Sequence, residues 1–178
     1  MLIQHGAEVT AQDKCGWTPL HLALRGEQVE LACMLVERGA DLSAQNKDKE
    51  TPLHLALQAK QFEVARILIE RGVDVTVQSK HGWTPLHRAF QVGQLELACM
   101  LIERGADVMA ESEGGETPLH RALILPYWTK VSQKYAEVVR IILGRKSDAT
   151  AHDKNGSTPF ELSKDAGGCN YKGCARYE

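Results

Sequence analysis

The sequence predicts an all-α fold, a solenoid of stacked helix pairs, and three observations carry that prediction. The string Thr-Pro-Leu-His begins at Thr18, Thr51, Thr84 and Thr117, a step of 33 residues each time. Each copy opens a short apolar segment, and a second apolar segment follows after a break. The second segments end in Glu-Arg-Gly at Gly39, Gly72 and Gly105. A fixed period of this length marks chains whose units bury their apolar faces against one another.

The start of each first helix follows from local chemistry. Thr at an N-cap accepts a bond from a free amide of the first turn, and Pro at the next position loses nothing there. His21, His54, His87 and His120 then fall at the third helical position, within reach of the cap threonine. A fifth copy, Thr158-Pro159-Phe160-Glu161, follows the fourth after 41 residues. There Glu161 completes a Thr-x-x-Glu capping box.

The second helices are expected over Val29 to Glu37, Phe62 to Glu70 and Leu95 to Glu103. Val29, Ala32, Cys33 and Val36 form one helical stripe, while Leu31, Met34 and Leu35 lie on other faces. A helix apolar over most of its circumference needs neighbours on several sides. Gly39, Gly72 and Gly105 are placed to end these helices in the left-handed conformation. The first and third copies also share Gly-Trp-Thr-Pro-Leu-His and Glu-Leu-Ala-Cys-Met-Leu, which points to duplication of a two-copy unit.

The period and the motif T-P-L-H-x-A, met four times in register, resemble the ankyrin-repeat family over nearly the whole chain. The resemblance implies a helix-turn-helix plus a β-hairpin finger in each repeat. It implies one domain over 1–178: a partial repeat at 1–12, full repeats at 13–45, 46–78, 79–111 and 112–152, and a partial repeat with a tail at 153–178. Both ends break off inside a repeat, with Leu2 and Ile3 lacking their packing partners and a polar stretch following Leu162. The chain is therefore expected to be a fragment of a longer protein or a truncated product.

The fourth repeat departs from the pattern. Its longer step places eight extra residues within 124–136, including Tyr127 and Trp128. Two readings stand: a neutral loop whose aromatics fold back onto the helices, or an element that contacts a partner, since Tyr and Trp are favoured at binding hot spots. Lys146 takes the place of the ending glycine, and Gly144 falls inside the expected helix. The C-terminal end is thus expected to be the least stable part.

Composition narrows the function. A formal charge of -2 does not call for nucleic acid, whose binders carry a strongly basic face. No apolar run approaches the roughly 18 residues of a membrane-spanning helix, and no signal peptide is visible. Five cysteines, with Cys33 and Cys99 in apolar runs as small core residues, fit a reducing intracellular compartment, cytoplasmic or nuclear.

No enzyme is visible and no cofactor is called for. The four motif histidines lie in successive layers, separated by about the 8–10 Å of packed helices. Zinc ligands converge to about 2 Å from the metal, so this ladder cannot share one ion. Cys169 and Cys174 form a lone Cys-x4-Cys with no second pair. Phosphate loops, nucleophile elbows and H-E-x-x-H are absent from the sequence. Members of the family are sometimes hydroxylated at an Asn after the second helix; the matching Thr10, Ser43, Thr76, Met109 and Thr150 do not support that here.

Ankyrin proteins bind through finger tips and the concave face of the first helices. Carried onto this chain, the resemblance marks Lys47, Glu50, Lys80, His81, Trp17 and Trp83 on the fingers, with Arg25 and Gln91 at the inner-helix ends. The residue before the motif Thr reads Trp17, Glu50, Trp83, Glu116, Ser157, and the tip reads Lys14, Lys47, Lys80, Glu113, Lys154. Each indole either lies on its own finger and helix or anchors a partner. The leading expectation is a monomeric module, or part of a longer chain, that binds another protein. The alternative is a sensor or substrate-recruiting segment of a larger signalling NTPase or ubiquitin ligase, and a pure spacer is a third reading.

Overall fold

A computed structural model describes residues 8–124, 133–144 and 149–165. Its helices run in order as α1 (Pro19–Arg25), α2 (Val29–Glu37), α3 (Pro52–Gln58), α4 (Phe62–Glu70), α5 (Pro85–Gln91), α6 (Leu95–Glu103), α7 (Pro118–Ile124), α8 (Gln133–Gly144) and α9 (Pro159–Asp165). The odd-numbered helices pack on one another in sequence and form an inner layer. The outer layer is built the same way from α2, α4, α6 and α8, and each outer helix also packs on its inner partner. The chain is thus a helical solenoid, and the three second helices keep the bounds expected from their sequence.

The motif threonines cap the inner helices as their chemistry requires. Thr18 is extended at φ -92°, with Pro at the head of α1. The backbone N–H of His21 donates to Thr18 Oγ1 at 3.3 Å, and the Thr18 N–H donates to His21 Nδ1 at 3.2 Å. The Thr51, Thr84 and Thr117 amides reach His54, His87 and His120 in the same way, at 3.3, 3.2 and 3.0 Å. At the fifth copy the Thr158 N–H donates to the Glu161 carboxylate at 2.8 Å.

The outer helices α2, α4 and α6 end in paired bonds that satisfy their last carbonyls. Ala40 N–H donates to Leu35 O and Gly39 N–H to Val36 O, a Schellman motif with Gly39 at φ 80°. A Cβ at Gly39, Gly72 or Gly105 would meet nothing within 4 Å, so conformation alone selects glycine there. The inner helices α1, α3 and α5 end similarly, but with Glu27 and Lys60 at φ 55° and 56°, where the third unit has Gly93.

The core lies between the layers. Leu20, Leu24, Leu53, Leu57, Leu86 and Phe90 meet Leu35, Leu68, Ile69, Leu97, Leu101 and Ile102, all essentially inaccessible. Polar ties join neighbouring units as well: Gln61 Nε2 donates to Leu24 O at 2.7 Å, and Arg104 donates to Ile69 O. Burial on several sides holds for α4, which touches α2, α3 and α6. In α2, Met34 remains 39% exposed. Cys33 and Cys99 sit half-buried at the edge of the core rather than inside it, and burial raises the Cys33 thiol pKa.

One further expectation changes. The fingers are tight turns, and no strand occurs among the described residues. Each is closed by one pair of bonds, as in Asp13 N–H to Trp17 O and Gly16 N–H to Asp13 O, both 2.9 Å. So short a loop has no room for a ladder of its own. Gly144 falls within α8, as expected. Tyr127, Trp128, Lys146, Leu2, Ile3, Cys169 and Cys174 lie outside the described residues.

Candidate functional site

The fingers are built by a side-chain cap and joined by backbone. Asp13 Oδ1 accepts from Cys15 N–H at 2.7 Å and Trp17 N–H at 2.8 Å. Asn46 serves Asp48 and Glu50, Ser112 serves Gly114 and Glu116, and Asp153 serves Asn155 and Ser157. Successive fingers are then stitched by Lys47 N–H to Cys15 O (2.9 Å), Lys80 N–H to Asp48 O (2.6 Å), Glu113 N–H to His81 O (2.9 Å) and Lys154 N–H to Gly114 O (2.8 Å). Close stacking explains two finger glycines: a Cβ on Gly16 would lie 2.8 Å from Gln45 O, and one on Gly82 would lie 2.8 Å from Ser112 Cα.

The histidines supply a second seam. His21 Nε2 lies 3.2 Å from Glu50 O, His54 Nε2 3.0 Å from Trp83 O, His87 Nε2 2.9 Å from Glu116 O, and His120 Nε2 3.2 Å from Ser157 O. Because each Nδ1 receives a threonine amide proton, the ring proton resides on Nε2 and is donated to the next finger. Burial pushes His54 and His87 down to about 4 and lowers His21, so these three rings are neutral at ordinary pH. Both ring nitrogens of each are committed to the fold. Among the described residues no group of three or more His, Cys, Asp or Glu is arranged to hold a metal ion.

The two tryptophans are half-buried beside their own inner helix. The Trp17 ring meets the His21 ring edge-on at 5.9 Å, with the Arg25 guanidinium 5.1 Å from its centroid. Trp83 lies 5.8 Å from His87 and takes two guanidinium groups, Arg88 at 4.6 Å and Arg121 at 4.4 Å. Arg88 pairs with Glu50 at 3.8 Å and donates to Gln91 Oε1 at 2.9 Å, while Arg121 pairs with Glu116. Glu50 also accepts from Asn46 at 3.1 Å. The result is a continuous strip, Glu50–Arg88–Trp83–Arg121–Glu116, running across three units. Burial works against the charge on Arg88, which Glu50 favours and the nearby Arg121 opposes.

The expected site residues therefore separate. Lys47, Lys80 and His81 are exposed at the tips, and His81 Nδ1 reaches Glu113 Oε2 at 2.9 Å. That bond holds Glu113 below the usual carboxylate range. Glu50, Trp83 and Gln91 join the strip, whereas Trp17 and Arg25 stand apart from it. Arg88 and Arg121 escaped sequence reasoning. Their signal was a column left unread, the residue after the motif His, which runs Leu22, Leu55, Arg88, Arg121 and Leu162.

No helix among the described residues is long and apolar enough to cross a membrane. No curated protein matches the sequence. The family model for ankyrin repeats in three copies matches residues 1–79 and 39–112. Ankyrin repeats are generally modules of protein interaction and typically non-catalytic. With the motif, the capped helix pairs and this match together, the chain belongs to the ankyrin-repeat family.

Proposed function

We propose that this chain is a recognition module that binds another protein through its finger tips and the adjoining inner-helix face. The observation that carries the reading is the stitched finger row. Backbone bonds between neighbouring fingers leave Lys47, Lys80 and His81 exposed on a surface already ordered. Order present before binding removes part of the entropy loss that weakens flexible surfaces. The fold makes little use of these three side chains, since Lys47 and Lys80 enter the seam through backbone atoms and His81 touches only an exposed glutamate.

The test compares affinity capture from cell lysate by the parent chain and by a Lys47→Ala/Lys80→Ala/His81→Ala variant. Parent-specific proteins lost by a variant with unchanged circular dichroism support the reading. Capture by neither supports a spacer instead, and equal capture by both overturns the assignment to the finger face.

A further inference from the structure

Trp17 and Trp83 hold equivalent positions, yet only one of them is fully accounted for by the fold. Each guanidinium on Trp83 already meets a carboxylate, Arg88 with Glu50 and Arg121 with Glu116. Arg25 stacks on Trp17, is exposed, and has no carboxylate partner among the described residues. Leu22 occupies in its own unit the place that Arg88 has beside Trp83. It is 53% exposed, the largest value for a big apolar side chain among the described residues; the equivalent Leu55, whose helix α3 has α1 and α5 packed on its two sides, is 5% exposed.

We propose that Trp17, Leu22 and Arg25 form a docking site for an acidic peptide segment. A carboxylate of the segment pairs with the Arg25 guanidinium, and an apolar side chain beside it covers Leu22 and the open part of the indole. The proposal rests on the interaction reading above and names the chemistry of its partner. Three observations select this occupant. Stacking on an indole uses the face of a guanidinium and leaves its N–H edge for a carboxylate. The chain's own Glu50 sets this arrangement against Arg88 beside Trp83. The adjoining fingers add exposed Lys14, Lys47 and Lys49, opposed by the carboxylates of Asp13 and Asp48, which leaves an excess of positive charge.

Magnitudes decide that both halves are needed. An exposed ion pair contributes little by itself, and a basic field mainly speeds encounter. Affinity therefore depends on the apolar contact, with the carboxylate setting position and selectivity.

The experiment selects phage-displayed random peptides of about a dozen residues on the full chain, then titrates the recovered sequences as synthetic peptides. Asp or Glu close to Leu, Ile or Phe is expected in the selected set. The Kd should rise about tenfold or more for Arg25→Gln and for Leu22→Ser, and stay unchanged for Glu70→Gln on the outer helix α4. Replacing the peptide's acid by its amide should weaken binding to the parent and add nothing on Arg25→Gln. Selection of peptides without acids, no selection at all, or indifference to Arg25→Gln overturns the proposal. Lysate capture separates the two readings: capture lost with the finger variant but kept with Arg25→Gln leaves the interaction face standing without this site.

Discussion

The Nε2–H of His54 donates to the backbone carbonyl of Trp83 across 3.0 Å, from the capping box of one unit to the finger of the next. Its Nδ1 meanwhile receives the Thr51 amide, so one buried ring closes a helix start and an inter-unit seam. A neutral ring performs both tasks, and a second ring proton would face the Thr51 N–H.

Acid should therefore loosen the stack before its carboxylates are neutralised. His54 and His87 are held at about 4 against an ordinary 6.5. Their folded pKa values are depressed, so the unfolded chain takes up protons first. Stability is full above about pH 6.5 and falls as pH drops toward 4, by on the order of 3 kcal/mol for each once below it. Asp41 and Asp74 are lowered by hydrogen bonds from Ser43 and Thr76, and their contribution is lost only below the ordinary carboxylate range. Urea midpoints from pH 7.5 to 4.5 check this, and a flat profile contradicts it.

Removing one ring should be severe. His54→Ala leaves the Thr51 amide and the Trp83 carbonyl without their partner, a loss of about 2–4 kcal/mol for buried groups. Glu161→Ala removes the corresponding cap where it is exposed and should cost about 1 kcal/mol or less. Urea unfolding of the two variants reports the contrast.

Two helix ends can be improved. Glu27 and Lys60 adopt the left-handed conformation that Gly93 takes in the third unit. Lys60→Gly and Glu27→Gly should each raise stability by about 0.5–1 kcal/mol, the conformational relief exceeding the added unfolded-state freedom. Thermal unfolding should register a higher midpoint for both.

Glycines at two kinds of turn should respond differently. Gly105→Ala meets open space and loses about 1 kcal/mol through conformation alone. Gly82→Ala adds a contact of 2.8 Å with Ser112 Cα and 2.9 Å with Glu111 O, bringing the loss to about 3 kcal/mol. Equal losses would mean that the stitched fingers separate easily.

The tryptophans should part company as well. Trp83→Ala removes the ring shared by Arg88 and Arg121, and should destabilise by about 1 kcal/mol more than Trp17→Ala, which frees one exposed guanidinium. Denaturant titration of both variants measures the difference.

Helix bounds, caps and layer order were legible in the sequence because their causes are local. Thr-Pro acts within one turn, and Gly39, Gly72 and Gly105 end helices through their own backbone freedom. The same locality identified His21, His54, His87 and His120 as capping residues but left their other nitrogen without a partner. That partner lies 29 residues away for His54, and only stacking brings Trp83 O to it. Lysine and glutamate at φ near 55° could not be read from propensity either, since the packed helix pair imposes the turn that Lys60 and Glu27 then adopt. Trp17 and Trp83 look alike along the chain, with the same neighbours in the same motif. Only the tertiary structure tells them apart, because Arg121 and Glu50 reach the strip from adjoining units and no counterpart among the described residues closes over Arg25.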